Sequence, residues 1–351
     1  QFGPRYASAT GESLLDGYKK LGKSVLIFYF ILTFATMFTI QTAVTIVTAG
    51  LASTLFGSII DIKIWTIIIL IICLIILFLG KYKLLDQLMK IIVITLTVST
   101  LVAVIFAFSK FDSHLEITQI LPQNNIEIVF LIAFMGWMPA PLDISVWHSL
   151  WTVEKKKTAG RFTPRSALLD FNIGYIGTIF LGIGFLLLGY LVMNNSNESF
   201  SSSASVFSNQ LIAMYTQSLG SWSYIIIGIA AFTTMFSTTL TTLDASPRAM
   251  SKAFELLTNT TYKRGYLYWI LILVFGTILI FFYFASEMGL LIKIATILSF
   301  LTAPFYAIIN YTLISSKYTP KAWRPSKGLH ILSLLGILFL IAFSIWYITI
   351  L

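Results

Sequence analysis

The residues best suited to chemistry lie near the middle of one long apolar stretch. Gly136, Pro139 and Pro141 fall close together there. A proline has no N–H and clashes with the carbonyl four residues earlier, so the carbonyls of Met135 and Trp137 lose their usual partners. In a bilayer, freed carbonyls are tolerated where they line a cavity or face an ion, as at the substrate sites of many secondary transporters. The pattern predicts a broken helix with a cation site, and a proline kink packed by neighbouring helices is the alternative.

Three further side chains beside this break could bind or move a cation. Met138 offers a thioether, a soft ligand for late first-row and heavier divalent ions, although many buried methionines only fill a core. An acid within a membrane span is costly, so Asp143 is interpreted as a cation ligand, a proton carrier or a cap on the restarted helix. His148 either relays protons near neutral pH or lies at the membrane interface.

Later spans carry other polar groups that could belong to the same path. A row of serine and threonine hydroxyls ends in Asp244, and it predicts either cross-helix hydrogen bonds or a wet vestibule. Arg248 lies four residues after Asp244, so a local ion pair is the alternative. Thr302 and Asn310 lie in a span with an internal proline. We take Asp244, Thr302, Asn310 and His148 as candidates for a proton path or vestibule.

Long helices in lipid must position these residues. Hydrophobic residues make up 57% of the 351-residue chain and charged residues only 11%, with a mean hydropathy of +0.88. This charged fraction is well below the roughly 25% of a soluble domain. A helix that spans a bilayer needs about 20 apolar residues in a row. The sequence therefore predicts an all-α integral membrane protein, with a single transmembrane domain over residues 1–351. Its nine predicted spans are residues 24–50, 62–80, 86–109, 127–151, 168–193, 221–243, 266–285, 289–314 and 329–350.

The basic residues predict the orientation. If the first segment is cytoplasmic, 19 of the 23 Lys and Arg lie on that side, in line with the positive-inside rule. The chain is thus expected in the plasma or inner membrane of a cell, with residues 194–209 as an outer loop. The net charge of +9 is a topology signal, and no aromatic-interleaved basic domain indicates nucleic-acid binding. Cys73 alone cannot form an internal disulfide, and no zinc motif, nucleophile elbow or phosphate loop indicates an enzyme.

Three segments resemble the NRAMP (natural-resistance-associated macrophage protein) family of divalent metal transporters. They are Met138-Pro139 with Trp-His-Ser downstream, residues 236–244 and residues 298–305. The resemblance implies an inverted repeat of five plus five helices, in which the nine spans are the third to the eleventh. It also implies that two further helices, with the family's Asp-Pro-Gly-Asn element and half of the metal site, would precede Gln1.

The resemblance also implies a ligand set and a function. Met138 would offer sulfur and Met135 a backbone carbonyl, with Asp143 as a further ligand. Two departures concern proton coupling: Ala140 replaces the family's histidine after Met-Pro, and residues 24–50 contain no acid. The expected function is secondary-active transport of a divalent metal, Mn²⁺ or Fe²⁺ above others, as substrate without a cofactor, with protons as a candidate co-substrate. An amino-acid or organic-cation carrier of this fold is one alternative, and a non-transporting metal sensor or assembly subunit is another.

Overall fold

The computed structural model describes residues 1–57, 60–79, 82–109, 118, 121–138, 140–158, 163–193, 201–284 and 287–350. Thirteen α-helices and one short 3-10 helix (Lys321–Trp323) account for most of these residues, and none of them forms a strand. The α-helices are α1 (Phe2–Thr10), α2 (Leu14–Leu21), α3 (Lys23–Phe56), α4 (Ile62–Leu79), α5 (Tyr82–Ser109), α6 (Asn125–Trp137), α7 (Ile144–Thr158), α8 (Pro164–Met193), α9 (Ala204–Leu219), α10 (Ser223–Thr258), α11 (Gly265–Phe284), α12 (Met288–Ser315) and α13 (Lys327–Ile350).

Each of the nine predicted spans coincides with a helix, and α6 and α7 share the fourth. Seven helices are long and apolar enough to cross a bilayer, while α4 and α6 are shorter apolar helices. Large apolar side chains cover the outside: Phe180 is 70% exposed and Ile105 is 66% exposed. Such a surface suits lipid. Lipid also offers the backbone no partner, so the isoleucine-rich α4 is helical despite its β-branched residues.

Three helices lie where the sequence predicts none. Two of them, α1 and α2, form in the polar opening segment, and α2 begins with a capping box between Ser13 and Asp16. The third, α9, overlaps the predicted outer loop of residues 194–209, of which 194–200 lie outside the described residues. It packs so closely on α3 that a Cβ at Gly50 would lie 2.5 Å from the carbonyl oxygen of Ala204. The loop prediction was therefore wrong from residue 204 onward, because tertiary packing supports a helix there.

Polar groups join the two central helices, α3 and α10. The Gln41 side chain is fully buried; its Nε2 donates to the Thr239 carbonyl at 3.3 Å, and its Oε1 accepts from the Thr242 hydroxyl at 2.7 Å. About two turns further along α3, the hydroxyls of Thr48 and Thr239 lie 2.8 Å apart. Interhelical hydrogen bonds of this kind hold membrane helices together where the hydrophobic effect cannot. The pair forms a frame beside which the broken helix lies.

The broken helix is held by several neighbours. α6 packs against α12, and α7 packs against α1, α2 and α10. A large buried cluster of side chains from α2, α3, α7, α10 and α12 surrounds the α7 side of the break. This packing sets the positions of the groups described next.

Candidate functional site

The fourth predicted span is interrupted over residues 138–143. α6 ends at Trp137, and Met138 already has extended backbone angles (φ −109°, ψ 124°), although its N–H still donates to the carbonyl four residues earlier at 3.0 Å. α7 begins at Ile144. Pro141 lies in the interruption and has no N–H to offer the Trp137 carbonyl. Pro139 lies outside the described residues. The Trp137 carbonyl thus lacks the backbone donor that an unbroken helix would supply.

Gly136 fixes how closely α6 approaches α12. A Cβ at this position would lie 2.0 Å from the Thr296 carbonyl oxygen, so only glycine fits. The next residue, Trp137, donates its Nε1–H to the Ser299 hydroxyl at 3.0 Å. Trp137 also borders an apolar cavity of about 360 Å³ between α3, α5, α8 and α10. The end of α6 is therefore positioned by α12 on one side.

The two methionines lie on different sides of α6. A Cβ at Gly182 of α8 would be 2.7 Å from the Met138 Cε, so the Met138 side chain rests against α8 where that helix has no side chain. Met135 packs beside a buried cluster that includes Ile132 and Phe300. A role for Met135 is thus confined to its backbone carbonyl, the role that the family resemblance implies.

Asp143 lies at the start of α7 with one carboxylate oxygen unsatisfied. The backbone N–H groups of Asp143 and Ile144 face the carboxylate, as expected for a residue that caps a helix. Its Oδ1, however, is buried and has no hydrogen-bond partner among the described residues. Burial of an unpaired polar atom costs about 1–3 kcal/mol, and more if it is charged. Helix capping therefore explains the position of the Asp143 carboxylate but leaves its Oδ1 atom without a partner among the described residues.

Hydroxyl groups and an amide form a chain of hydrogen bonds at the first turn of α7. The Tyr18 hydroxyl donates to Asn310 Oδ1 at 2.6 Å, and Asn310 Nδ2 donates to the Ser145 hydroxyl at 2.9 Å. These bonds tie α2, α12 and α7 together. Of the sequence candidates, the structure thus joins Asn310 to the first turn of α7, at Ser145.

Two more tyrosines lie in the buried cluster on the α7 side of the break. Tyr29 of α3 and Tyr306 of α12 belong to it together with Val146 and Trp147 of α7. The two tyrosine rings meet nearly edge-on, with centroids 6.1 Å apart. The cluster thus packs α3 and α12 against the start of α7.

His148 borders a cavity of about 490 Å³ that also reaches Ser145 and Asn310. The His148 ring packs edge-on against Phe171 at 5.4 Å and Trp151 at 6.1 Å. The histidine is thus held by aromatic rings one to two turns from Asp143, in a space large enough for water.

Asp244 is the centre of a closed ion pair. Arg248 donates from Nη2 to Asp244 Oδ1 at 2.7 Å and from Nε to Oδ2 at 3.2 Å. Trp151 Nε1 and the Tyr266 hydroxyl add donors at 3.1 and 2.9 Å. Asp244 is only 2% exposed, and its carboxylate is fully used. The geometry matches the local ion-pair alternative and keeps Asp244 apart from Asp143.

The remaining hydroxyl candidates bond to their own helices. Thr302 donates to the Leu298 carbonyl at 2.9 Å, within α12. The threonines and serine of the predicted α10 row likewise donate to carbonyls three or four residues earlier. The cross-helix bonds come instead from Thr239 and Thr242, on the neighbouring face.

Among the described residues, no group of three or more His, Cys, Asp or Glu side chains comes together as a metal site. A cation at the break must therefore use the thioether, backbone carbonyls, hydroxyls, the Asn310 amide and one carboxylate. A ligand set that is mixed and mostly neutral suits an ion that is bound and released, rather than an ion that is held permanently.

Comparison with known proteins decides the family. A family model described as natural resistance-associated macrophage protein-like (Nramp) matches residues 4–349. The chain belongs to the Nramp family. A protein of Pasteurella multocida (strain Pm70), described as uncharacterized, is 34% identical over 356 residues, which cover 99% of this chain and 81% of that protein.

Solved transporter structures share the fold. A crystal structure of the Eremococcus coleocola manganese transporter with a histidine-to-alanine substitution matches with a TM-score of 0.70 and 13% identity, covering 98% of this chain and 75% of that one. The same transporter in complex with an aromatic bis-isothiourea substituted compound matches with a TM-score of 0.69, also at 13% identity. The predicted fold class, an all-α membrane transporter of the inverted-repeat type, is confirmed, and the chain is a multi-pass membrane protein of a metal-transporting family.

In this Nramp chain, sequence reasoning missed several residues that the structure brings to the break. Tyr18 donates a hydrogen bond to Asn310, Tyr29 and Tyr306 lie in the buried cluster on the α7 side, and Gly182 receives Met138. Hydroxyl-bearing residues within apolar helices are a usable signal, but tyrosines are common there. Tyr18 in particular lies in a segment for which the sequence predicted no helix.

Proposed function

We propose that this Nramp protein carries divalent metal ions, with Mn²⁺ or Fe²⁺ preferred, across the cell membrane through the break between α6 and α7. The observation that carries the proposal is the buried, unpartnered Oδ1 of Asp143 beside an interrupted helix. An intramembrane acid without a partner is expected to serve an ion or a substrate. The similar structures from Eremococcus coleocola are of a manganese transporter, which supports a divalent metal as the substrate.

Each part of the break has a role in this proposal. The Met138 sulfur and the Met135 carbonyl, at the end of α6, bind the metal, and Asp143 supplies negative charge at the start of α7. A thioether discriminates against Ca²⁺ and Mg²⁺, which prefer oxygen ligands. Selection for a scarce metal over abundant ones thus depends on Met138.

The test is competitive metal uptake into liposomes that contain the full protein. We expect Met138→Leu, which keeps the volume but removes sulfur, to reduce Cd²⁺ and Mn²⁺ uptake relative to Ca²⁺ and Mg²⁺. Met250→Leu is the matched control, because Met250 is fully buried in the core of α10. If Met138→Leu leaves the ion preference of the wild-type protein unchanged, Met138 is not a ligand.

Proton coupling needs a route other than α3. Its contact with α10 is made by Gln41 and threonines, and these side chains do not titrate at physiological pH. His148, whose imidazole borders the 490 Å³ cavity, is the candidate proton carrier for such a route. With a pH-sensitive dye inside the liposomes, we expect metal uptake by the wild-type protein to acidify the interior. The His148→Gln variant should show no such acidification. Unchanged acidification in this variant would exclude His148 from the route.

We also propose that the chain begins on the cytoplasmic side of the plasma or inner membrane. Single cysteines introduced at Ser202 and at Lys157, in a Cys73→Ala background, test this orientation. Both positions are exposed in the structure. An impermeant thiol reagent should label Ser202→Cys on intact cells and Lys157→Cys only after permeabilisation. Labelling of both on intact cells would contradict the orientation.

A further inference from the structure

The segment that joins α12 to α13 carries four cations and no acid. We define the basic linker as residues 316–327, and its cations are Lys317, Lys321, Arg324 and Lys327. No Asp or Glu follows Glu287 in the sequence. Among the described residues, four lysines outside the linker form ion pairs with acids, namely Lys20, Lys155, Lys157 and Lys252. None of the linker cations is paired with an acid in this described part of the chain, so their charge is left for an anion from outside it.

The backbone of the basic linker is fixed by hydrogen bonds and packing. Thr319 is fully buried, and its hydroxyl donates to the Leu313 carbonyl at 2.9 Å. Arg324 Nε donates to the Thr319 carbonyl at 3.0 Å, and the next residue, Pro325, is buried. The short 3-10 helix within the linker packs against α1. Because the segment is already ordered, binding a ligand to it requires little further loss of conformational freedom.

The cations of the linker form a ligand set suited to a phosphate group. The bond from Arg324 Nε to the backbone orients the guanidinium, and its Nη1 and Nη2 atoms bond no other described residue. A guanidinium binds phosphate oxygens through two parallel N–H bonds. Lys321 and Lys327, each three residues from Arg324 in the sequence, are both exposed. The linker thus presents an oriented arginine flanked by two solvent-facing lysines.

An apolar, lipid-facing surface begins directly beside these cations. Ile331 follows Lys327 by about one helical turn, or about 6 Å along the axis of α13, and it is 61% exposed. Leu332 and Leu335 are also exposed. Trp323, within the linker, is of the residue type that favours the interface between water and hydrocarbon. A free phosphate would use the cations alone, whereas a phospholipid uses both the cations and the apolar surface below them.

We propose that the basic linker and the first turns of α13 bind an anionic phospholipid. Arg324, Lys321 and Lys327 hold its phosphate, and its acyl chains lie along the exposed apolar face of α13. Clusters of Lys and Arg next to a membrane helix attract anionic lipids in this way. Tyr318 of the linker packs against the buried cluster on the α7 side of the break, so a bound lipid holds the linker on that cluster. The inference does not depend on which ion the protein carries.

The experiment titrates the purified full chain in detergent with phosphatidylglycerol or phosphatidylcholine and counts bound lipids by native mass spectrometry. The wild-type protein should bind phosphatidylglycerol more tightly than phosphatidylcholine. The double variant Lys321→Gln with Lys327→Gln should lose about 25-fold in affinity for phosphatidylglycerol, at about fivefold for each cation. Lys321→Arg with Lys327→Arg keeps the charge and should bind like wild type. The matched control is Lys263→Gln with Arg264→Gln, because these two exposed cations precede α11 and lie outside the linker.

Three results would overturn the lipid site. Wild-type affinity for phosphatidylglycerol in the Lys321→Gln, Lys327→Gln variant would show that these cations do not bind it. An equal loss in the Lys263→Gln, Arg264→Gln control would mean that overall surface charge, and no defined site, attracts the lipid. Displacement of phosphatidylglycerol by inorganic phosphate would indicate a site for a free anion. Raising the ammonium acetate concentration should weaken lipid binding to the unaltered protein, since salt screens exposed charges. Thermal unfolding followed by circular dichroism shows whether each variant is folded.

Discussion

Gly136→Ala tests whether the approach of α6 to α12 positions the break. The added Cβ would lie 2.0 Å from the Thr296 carbonyl oxygen, a backbone atom that cannot rotate away. Carbon–oxygen contacts in proteins settle at about 3.3–3.6 Å, so the two helices would have to separate by about 1.3 Å or more. The Trp137–Ser299 hydrogen bond, now 3.0 Å long, would not survive such a shift.

The expected cost follows from these two losses. Overpacking in a close-packed interior costs about 1–3 kcal/mol and a lost hydrogen bond about 1 kcal/mol, so Gly136→Ala should lower the free energy of unfolding by about 2–4 kcal/mol. Because the end of α6 moves with its helix, metal uptake per folded molecule should fall as well. The uptake loss distinguishes a positioning role from stability alone.

Denaturation of the purified protein in detergent, followed by helix content, gives the stability change, and liposome uptake normalised to folded protein gives the activity. Gly177→Ala on α8 is the matched control, since a Cβ there meets nothing within 4 Å. The control should be as stable as wild type. If Gly136→Ala unfolds with the same midpoint as Gly177→Ala and transports normally, the close approach is not what positions the break.

Three further substitutions test neighbouring features. Gly182→Ala should displace Met138, because the new Cβ would lie 2.7 Å from the Met138 Cε. We expect Cd²⁺ uptake to fall relative to Mn²⁺ uptake, with no further fall when the substitution is made in a Met138→Ala background. Additive effects of the two substitutions would refute the coupling. Asp244→Asn leaves the partly exposed Arg248 without its counter-charge and should lower the free energy of unfolding by about 1–3 kcal/mol; wild-type stability in denaturation would show that the ion pair contributes little. Gln41→Leu removes the amide that joins α3 to α10 and should cost about 1–2 kcal/mol, while metal-driven acidification measured with the pH dye stays unchanged.

The sequence predicted the spans well because lipid imposes one rule on the backbone. Every amide in hydrocarbon must be paired within the chain, so length and hydropathy are enough to locate α3, α8 or α12 to within a few residues. The helix break was also predictable from the sequence, because proline lacks a backbone N–H wherever it occurs. Helices α1, α2 and α9 escaped prediction because their sequences are polar or mixed. Their stability depends on the helices against which they pack.

What the sequence by itself determined is the class of molecule, the approximate positions of its apolar helices and the residue at which one helix must stop. What only the tertiary structure decided is which polar groups share a site. Asp143 lies at the helix break and Asp244 lies in α10, yet Asp244 is paired with Arg248, whereas Oδ1 of Asp143 has no partner among the described residues. Tyr18 and Asn310 are 292 residues apart and meet at 2.6 Å. Hydropathy fixes each helix against lipid, but side-chain partners depend on how helices rotate and pack against one another, and small residues such as Gly136 and Gly182 set that packing.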